Sequence, residues 1–199
     1  MDGYGVSPSS RSSICEEYDV FISFRGEDTR DNFTNHLYTA LTQKHIKTYI
    51  DEESLEKGDD INLALPEAIK KSKIAIIIFS KDYASSTWCL RELEHILECH
   101  RDNKQMVIPI FYGVNPSDIR KQKGSYAKSF IKHTKRFKNK KDKMEMVKKW
   151  RDALKYSADL SGWNSRVTRY LFFHSCFYRK YLHKRNEGIH AHKLFSRSV

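Results

Sequence analysis

One stretch of apolar, β-branched residues constrains the fold of this chain more than any other part of its sequence. Residues 73–80 read K-I-A-I-I-I-F-S, a run that is rich in isoleucine and ends in a polar residue. A strand that is buried on both faces has this pattern, because both sets of alternating side chains contact the core. The run therefore predicts the central strand of a parallel sheet with helices on both faces.

Shorter patterns on either side of this run predict further strands and helices. Four more strands are predicted, at residues 18–24, 46–50, 106–112 and 160–164, the third of them interrupted by Pro109. Apolar residues at helical spacing predict a first helix with Phe33, Leu37, Ala40 and Leu41 on one face and Thr29 or Asp31 as its cap. Further helices are predicted at residues 61–69, with Pro66 at the start or at a kink; at residues 88–100, with Ser86 or Thr87 as the cap; and around Val147, Trp150, Leu154 and Ala158.

Strands and helices that alternate in this way form a parallel sheet with right-handed crossovers. We therefore predict an α/β fold, a flavodoxin-like five-stranded parallel sheet of order 2-1-3-4-5 with helices on both faces. Ligands of such sheets bind beyond the carboxyl ends of the strands, where the strand order reverses. This places the expected site between the first and third strands.

Composition excludes several other classes of protein. Hydrophobic residues make up 39% and aromatic residues 13% of the chain, which is too rich for a disordered protein. The longest apolar run, residues 74–79, is too short to cross a bilayer, and the serine-rich residues 1–17 lack the apolar stretch of a secretory signal. We therefore expect a flexible arm at residues 1–17, no membrane contact, and a location in the cytoplasm, with the nucleus as a second location.

The cysteines and the charges give weaker indications. Cys15, Cys89, Cys99 and Cys176 form no C-x-x-C pair, so neither a metal site nor a disulfide framework is expected. The net charge of +11 is uneven, because residues 165–199 contribute eight Lys or Arg and one Glu, or +7, and leave +4 for the rest. A second basic run, residues 132–149, is more often a solvated face than a nucleic-acid contact, so nucleic acid is the less favoured partner.

Polar side chains gather at the two loops that should form the site. Arg25, Gly26 and Arg30 follow the first strand, and Ser86, Trp88 and Glu92 follow the third. Such a set suits a phosphate-bearing nucleotide, because Arg binds phosphate in a bidentate manner, Trp stacks on rings and a helix N-terminus favours anions. Taken singly, each residue is more often an ordinary surface or core side chain. The sequence contains neither G-x-G-x-x-G nor G-x-x-x-x-G-K-[ST], which argues against dehydrogenases and P-loop enzymes.

Four sequence blocks carry a resemblance to a known family. They are Y-D-V-F-I-S-F-R-G-E-D-T-R (residues 18–30), F-S-K-D-Y-A-S-S-T-W-C-L-R-E-L (79–93), V-I-P-I-F-Y-G-V-N-P-S-D-I-R (107–120) and L-S-G-W-N (160–164). In this order they resemble the TIR domains of plant disease-resistance proteins, in a TIR-only or truncated form. The resemblance implies the flavodoxin-like fold and an activity, the splitting of NAD between nicotinamide and ribose, with NAD as substrate and no cofactor required.

The resemblance also implies roles for individual residues. Glu92 matches the family's catalytic glutamate, and the pocket residues Arg25, Gly26, Arg30, Ser86 and Trp88 match substrate-binding positions. Residues 51–60 match a mobile loop that gates the pocket, with Gly58 as a hinge and Lys57 where relatives often have Arg. Cys89 matches a cysteine linked to a second activity on nucleic acid, which we favour less.

The resemblance further implies self-association and binding to other TIR domains. Asn35 and His36 match one contact surface, where Asn35 replaces the family's Ser, and Gly124 matches a glycine of another. The resemblance covers residues 18–164 and ends there. The basic, aromatic tail at residues 165–199 is either a substitute last helix or a poorly packed extension.

Three functions remain open at this point. The first is an NAD glycohydrolase of plant innate immune signalling that releases ADP-ribose or a cyclic or variant form of it upon self-association. The second is a non-catalytic adaptor or decoy that pairs with TIR-containing receptors. The third, a phosphorylated receiver of the same fold, is disfavoured because Ser80 stands where an acceptor Asp should end the central strand.

Overall fold

A computed structural model of the chain describes residues 17–50 and 64–164. Five strands within these ranges form one parallel sheet. The strands are β1 (Tyr18–Phe24), β2 (Thr48–Ile50), β3 (Ser72–Phe79), β4 (Met106–Phe111) and β5 (Trp163–Asn164). Their order is β2-β1-β3-β4-β5, and every pair of neighbours is parallel. The predicted fold class and strand order are thus confirmed.

Strand β3 is the centre of this sheet, as its sequence predicts. It pairs with β1 on one side, where Phe24 lies opposite Ile78, and with β4 on the other, where Phe111 lies opposite Phe79. Every residue from Ile74 to Phe79 is buried. Its alternating side chains enter two separate apolar clusters, because successive residues of a strand point to opposite faces.

Helices cover both faces of the sheet. Among the described residues they are α1 (Gly26–Thr29), α2 (Asn35–Thr42), α3 (Ala64–Lys70), α4 (Thr87–Asn103), α5 (Pro116–Arg120), α6 (Ser125–Phe137) and α7 (Lys141–Asp159). Leu37 and Leu41 of α2 join one cluster, whereas α3, α4, α6 and α7 contribute to the other. Val147, Trp150, Leu154 and Ala158 are all buried, which confirms the predicted face of α7.

The segment after β1 departs from the predicted regular helix. Helix α1 begins at Gly26, and a π-helical turn (Arg30–Thr34) separates it from α2. The N-cap positions of α1 and α2 are Arg25 and Thr34, so neither predicted residue caps an α-helix and that part of the prediction is wrong. Thr29 stands at the N-cap position of the π-helical turn, where its side chain makes no capping hydrogen bond. The Thr29 hydroxyl instead lies 2.8 Å from that of Thr34, and both residues are buried in the turn. Such insertions in helices are frequent at functional sites.

The edge strands are shorter than predicted. Strand β2 contains only Thr48–Ile50, and β5 only Trp163–Asn164, which begins one residue after Gly162. A Cβ atom at Gly162 would lie 2.5 Å from the backbone oxygen of Pro109, closer than real contacts allow. Only glycine fits this close approach of the chain to β4. Pro109 itself remains within β4, opposite Ile77.

Some predicted regions lie outside the described residues. They include the arm at residues 1–17, apart from Glu17, the loop at residues 51–60 and the tail at residues 165–199. Within residues 17–50 and 64–164, no helix combines the length and hydropathy that a membrane span requires.

Candidate active site

Two loops meet at the carboxyl ends of β1 and β3, and Asp28 joins them. Its Oδ2 atom accepts hydrogen bonds from the Ser80 hydroxyl and, at 3.0 Å, from the backbone N–H of Asp82. Its Oδ1 atom accepts a bond from Arg25 Nη1 at 2.5 Å. One carboxylate therefore holds the end of β3, the loop after it and the loop after β1 together. Sequence reasoning did not select Asp28.

The two arginines predicted to bind substrate have defined partners. Arg25 donates to Glu27 as well as to Asp28, and its guanidinium is largely buried. Burial lowers the pKa of Arg25, but the charges and hydrogen bonds of Asp28 and Glu27 outweigh this effect, so the pKa is raised above its ordinary value. The Arg30 guanidinium lies over the Phe24 ring, 5.0 Å from its centroid. Gly26, the third predicted residue of this loop, begins α1.

Ser86 begins the helix that carries the catalytic candidate. Its side chain accepts a hydrogen bond from the backbone N–H of Cys89 at 3.2 Å, which confirms one of the two predicted caps of α4. Trp88, in the first turn, is partly buried and packs against the larger apolar cluster. Both residues thus lie at the N-terminus of α4, where the backbone N–H groups and the helix dipole favour negative charge.

Glu92 lies one turn further into α4 and points into the protein. Only 4% of its surface is exposed. The hydroxyl of Ser23, on β1, donates to Glu92 Oε2 at 2.5 Å and also lies 2.9 Å from the Tyr83 hydroxyl. Burial of a carboxyl group is costly unless hydrogen bonds compensate for lost hydration. Ser23 supplies such a bond, and the sequence analysis did not select it.

Cys89 is buried beside this group, and its environment disfavours ionisation of its thiol. Its thiol donates to the backbone oxygen of Phe24 at 3.4 Å, and its surface is 1% exposed. Burial, and then the negative charge of Glu92, raise the pKa of the thiol far above its ordinary value. A thiol needs its ionised form to act as a nucleophile, so this environment does not favour the second activity expected for Cys89.

The predicted self-association residues lie on the surface. Asn35 and His36, in the first turn of α2, are exposed, and Gly124 is exposed at the N-cap of α6 with a φ angle of 60°. Lys57 lies outside the described residues. Across the described parts of the chain, no group of three or more His, Cys, Asp or Glu side chains could hold a metal ion.

Comparison with known proteins identifies similar sequences. The family model for the TIR domain matches residues 17–171. The TMV resistance protein N of Nicotiana glutinosa is 51% identical over 154 residues, which are 77% of this chain and 13% of that protein. The disease resistance protein RPV1 of Vitis rotundifolia is 46% identical over 166 residues, 82% of this chain and 11% of that protein. The chain therefore spans only a small part of the length of these relatives.

A solved structure agrees with the sequence comparisons. The TIR domains of the activated Roq1 resistosome, which directly recognises the pathogen effector XopQ, are 44% identical and superpose with a TM-score of 0.69. The match covers 85% of this chain and 99% of the Roq1 chain. Sequence blocks, strand order and structural similarity thus agree, and this chain belongs to the TIR domain family.

Proposed function

We propose that this TIR domain is an NAD glycohydrolase that splits the bond between nicotinamide and ribose when several copies associate, and that it acts in plant innate immune signalling. The observation that supports this most strongly is the placement of Glu92. It is a buried carboxyl group, bound by Ser23, at the carboxyl end of the central strands and one turn from the N-terminus of α4. This is the location at which parallel sheets of this type bind ligands.

The chemistry asks little more than a positioned carboxylate. When the C–N bond breaks, nicotinamide leaves as a neutral molecule with the bonding electrons, and the ribose carbon becomes oxocarbenium-like. The Glu92 carboxylate stabilises that positive charge or binds the ribose hydroxyls, and water adds at the ribose carbon and releases a proton. The leaving group is neutral, so a second carboxyl group to protonate it is not required.

The residues around Glu92 provide the remaining binding functions. Trp88 offers a ring for stacking, and the N-terminus of α4 attracts the diphosphate of NAD. Arg25 and Arg30 contribute positive charge, and Arg25 already donates to two carboxylates, Asp28 and Glu27, which reduces the charge that it offers to a phosphate. The sequence resemblance adds Lys57 to the substrate-binding residues of this proposal, in which no cofactor takes part.

A second function is favoured by the exposed self-association residues. Asn35, His36 and Gly124 are accessible to a partner whether or not NAD is cleaved. Among its relatives, the Roq1 TIR domains form part of an assembled resistosome. In the alternative, the chain acts as an adaptor or decoy that binds other TIR domains without turnover.

Nicotinamide release by concentrated protein separates the two functions. In Glu92→Gln we expect the rate to fall by about 100-fold or more, because a preorganised charge is removed from the reacting carbon. The matched control is Glu98→Gln, two turns further along α4, where the carboxylate is 46% exposed and pairs only with His95 among the contacts described here. The control should retain the rate of the parent within about twofold.

Either of two results would contradict an enzymatic role for Glu92. One is a Glu92→Gln variant that cleaves NAD as fast as the parent. The other is a parent protein that binds a second TIR domain, measured by sedimentation, yet releases no nicotinamide at any concentration. The second result would favour the adaptor.

A further inference from the structure

Four buried oxygen atoms form a hydrogen-bonded chain that runs from the Glu92 carboxyl group to the backbone carbonyl of Cys89. Ser23 Oγ lies 2.5 Å from Glu92 Oε2 and 2.9 Å from the Tyr83 hydroxyl, which in turn lies 3.0 Å from the backbone oxygen of Cys89. Ser23 and Tyr83 have no exposed surface. These hydrogen bonds join β1 to two elements that are distant from it in sequence, the 3₁₀ turn Tyr83–Ser85 and α4.

The number of hydrogen atoms decides how this chain can be arranged. Three contacts require three hydrogens, but the hydroxyls of Ser23 and Tyr83 carry only one each, and the Cys89 carbonyl can only accept. If Glu92 is ionised, at most two of the three contacts hold a hydrogen. If Glu92 is protonated, its O–H donates to Ser23, Ser23 donates to Tyr83, and Tyr83 donates to Cys89, so that every contact holds one.

The two hydroxyls therefore act differently on the carboxyl group. The Ser23 hydrogen can stabilise the ionised carboxylate directly, and hydrogen bonds to charged groups are the stronger kind. The Tyr83 hydroxyl can accept that same hydrogen in place of Glu92. It thereby stabilises the arrangement in which a protonated Glu92 supplies the third hydrogen of the chain. Removal of one hydroxyl should thus have the opposite effect to removal of the other.

We propose that Ser23 and Tyr83 are positioning residues for Glu92, and that Ser23 favours its ionised form whereas Tyr83 favours its protonated form. The catalytic role of Glu92 in this statement rests on the proposed function, but the hydrogen-bond arrangement does not. If the site needs an ionised Glu92, the Ser23 hydroxyl stabilises that form and the Tyr83 hydroxyl stabilises the inactive, protonated form.

Other ionisable groups at this end of the sheet set the background. Tyr83 and Cys89 both interact electrostatically with Glu92, and burial raises the pKa of each, so both are neutral near pH 7. Arg25 and Asp28 lie close enough to influence Cys89. On the elements that pack against α4, the ionisable side chains are Tyr18 and Asp19 on β1, Glu67 and Lys70 on α3, and six cations, four carboxylates and one tyrosine on α7. The proposed variants change none of these charges.

Infrared spectroscopy of the folded protein tests the proposal without using turnover. The C=O band of a protonated carboxylic acid is followed as pH is varied, and the band that Glu92→Gln removes belongs to Glu92. In Ser23→Ala we expect the midpoint of this titration to move up by about one pH unit, because a bond to the charged form is lost. In Tyr83→Phe we expect it to move down by about half a pH unit.

Two variants serve as controls for the loss of a buried hydroxyl. Tyr126→Phe removes a buried phenol that donates to the Ser80 carbonyl, and Ser157→Ala removes a buried hydroxyl that bonds within α7. Neither residue takes part in the hydrogen bonds that link Glu92, Ser23, Tyr83 and Cys89, so neither control should move the midpoint of the Glu92 titration. If Ser23→Ala fails to fold, Ser23→Cys keeps the bulk with a weaker donor and should give a smaller upward shift.

The same variants, assayed for nicotinamide release, keep the two proposals distinguishable. We expect the acid limb of the pH profile to move up in Ser23→Ala and down in Tyr83→Phe. Shifts in the same direction, or no shift in either variant, would overturn the roles of Ser23 and Tyr83 even if Glu92→Gln abolishes turnover. Infrared shifts in opposite directions, in a protein that releases no nicotinamide, would support the proposed roles of Ser23 and Tyr83 and contradict the proposed NAD glycohydrolase activity.

Discussion

At the scale of single residues, Asp28 and Ser23 make the contacts that join the elements of the site. Asp28 accepts a hydrogen bond from Ser80, and Ser23 donates to Glu92 and lies beside the Tyr83 hydroxyl. These contacts join residues 52 to 69 positions apart, and no local sequence pattern records such distances. For this reason Ser23, Asp28 and Tyr83 were not selected from the sequence, whereas Arg25 and Glu92 were. One signal was available. Ser23 is a polar residue between Ile22 and Phe24 near the end of a predicted strand, and a hydroxyl that is buried there must have a partner.

Asp28 provides a test at this scale. In Asp28→Asn we expect a loss of about 1–3 kcal/mol of unfolding free energy, because an amide cannot accept from Ser80, Asp82 and Arg25 together. Urea unfolding measures the loss. Asp31→Asn, at an exposed position in the π-helical turn, is the control and should change the free energy by less than about 0.5 kcal/mol. Equal stabilities of the two variants would show that Asp28 does not hold the loops together.

At the scale of elements, the sequence predicts the strands whose side chains form the core. It does not predict elements whose conformation depends on individual side-chain contacts. Strands β1, β3 and β4 were predicted within one residue at each end, because burial imposes their patterns. The π-helical turn after β1 was not predicted, since the contact between Thr29 and Thr34 that accompanies it leaves no periodic trace. No bounds were predicted for helices α5 and α6, and α6 has a largely basic exposed face.

Helix α6 contains a pH-sensitive connection to the site. His133 Nε2 lies 2.8 Å from the Ala84 carbonyl, in the turn that contains Tyr83, and its ring packs against Phe130, Phe137 and Trp150. Burial, only partly offset by the hydrogen bond to Ala84, lowers the pKa of His133 below its ordinary value of 6.5. Below pH 6.5 the unfolded protein therefore binds a proton at His133 more readily than the folded protein does. The free energy of unfolding consequently decreases as the pH is lowered through this range.

His133→Phe should reveal this dependence, since phenylalanine fits among the same rings and does not titrate. Near pH 7 we expect the variant to be less stable by about 1 kcal/mol, because the bond to Ala84 is lost. As the pH falls from 7 to 5, the difference should shrink by at most about 1.4 kcal/mol per pH unit. Chemical denaturation at several pH values measures it. A difference that stays constant over this range would contradict the role of His133.

At the scale of the whole molecule, the predicted contact residues lie on different faces of the sheet. Asn35 and His36 belong to α2, which packs on one face, and Gly124 precedes α6, which packs on the other. Two different surfaces on one subunit can each contact a separate neighbour, so that an assembly extends beyond a closed pair into a ring or an open filament. In the proposed function, turnover would then depend steeply on protein concentration.

His36→Ala tests that dependence. His36 is exposed, so we expect the melting temperature to change little while self-association, measured by sedimentation velocity, requires about tenfold more protein. Nicotinamide release should show the same displacement along the concentration axis and reach the same maximum. The exposed Lys44→Ala, just beyond the end of α2, is the control. Release that is reduced equally at all concentrations would indicate a role for His36 in the pocket instead.

The buried chain from Glu92 to the Cys89 carbonyl also has a consequence for the exchange of hydrogen with solvent. Because Ser23 and Tyr83 have no exposed surface and one end of the chain is a backbone carbonyl, their hydroxyl hydrogens reach water only through Glu92, which is 4% exposed, or when the surrounding elements open. After transfer into heavy water, these hydroxyls should therefore exchange hydrogen for deuterium more slowly than exposed hydroxyls do. The rate of this exchange measures how often solvent gains access to the site.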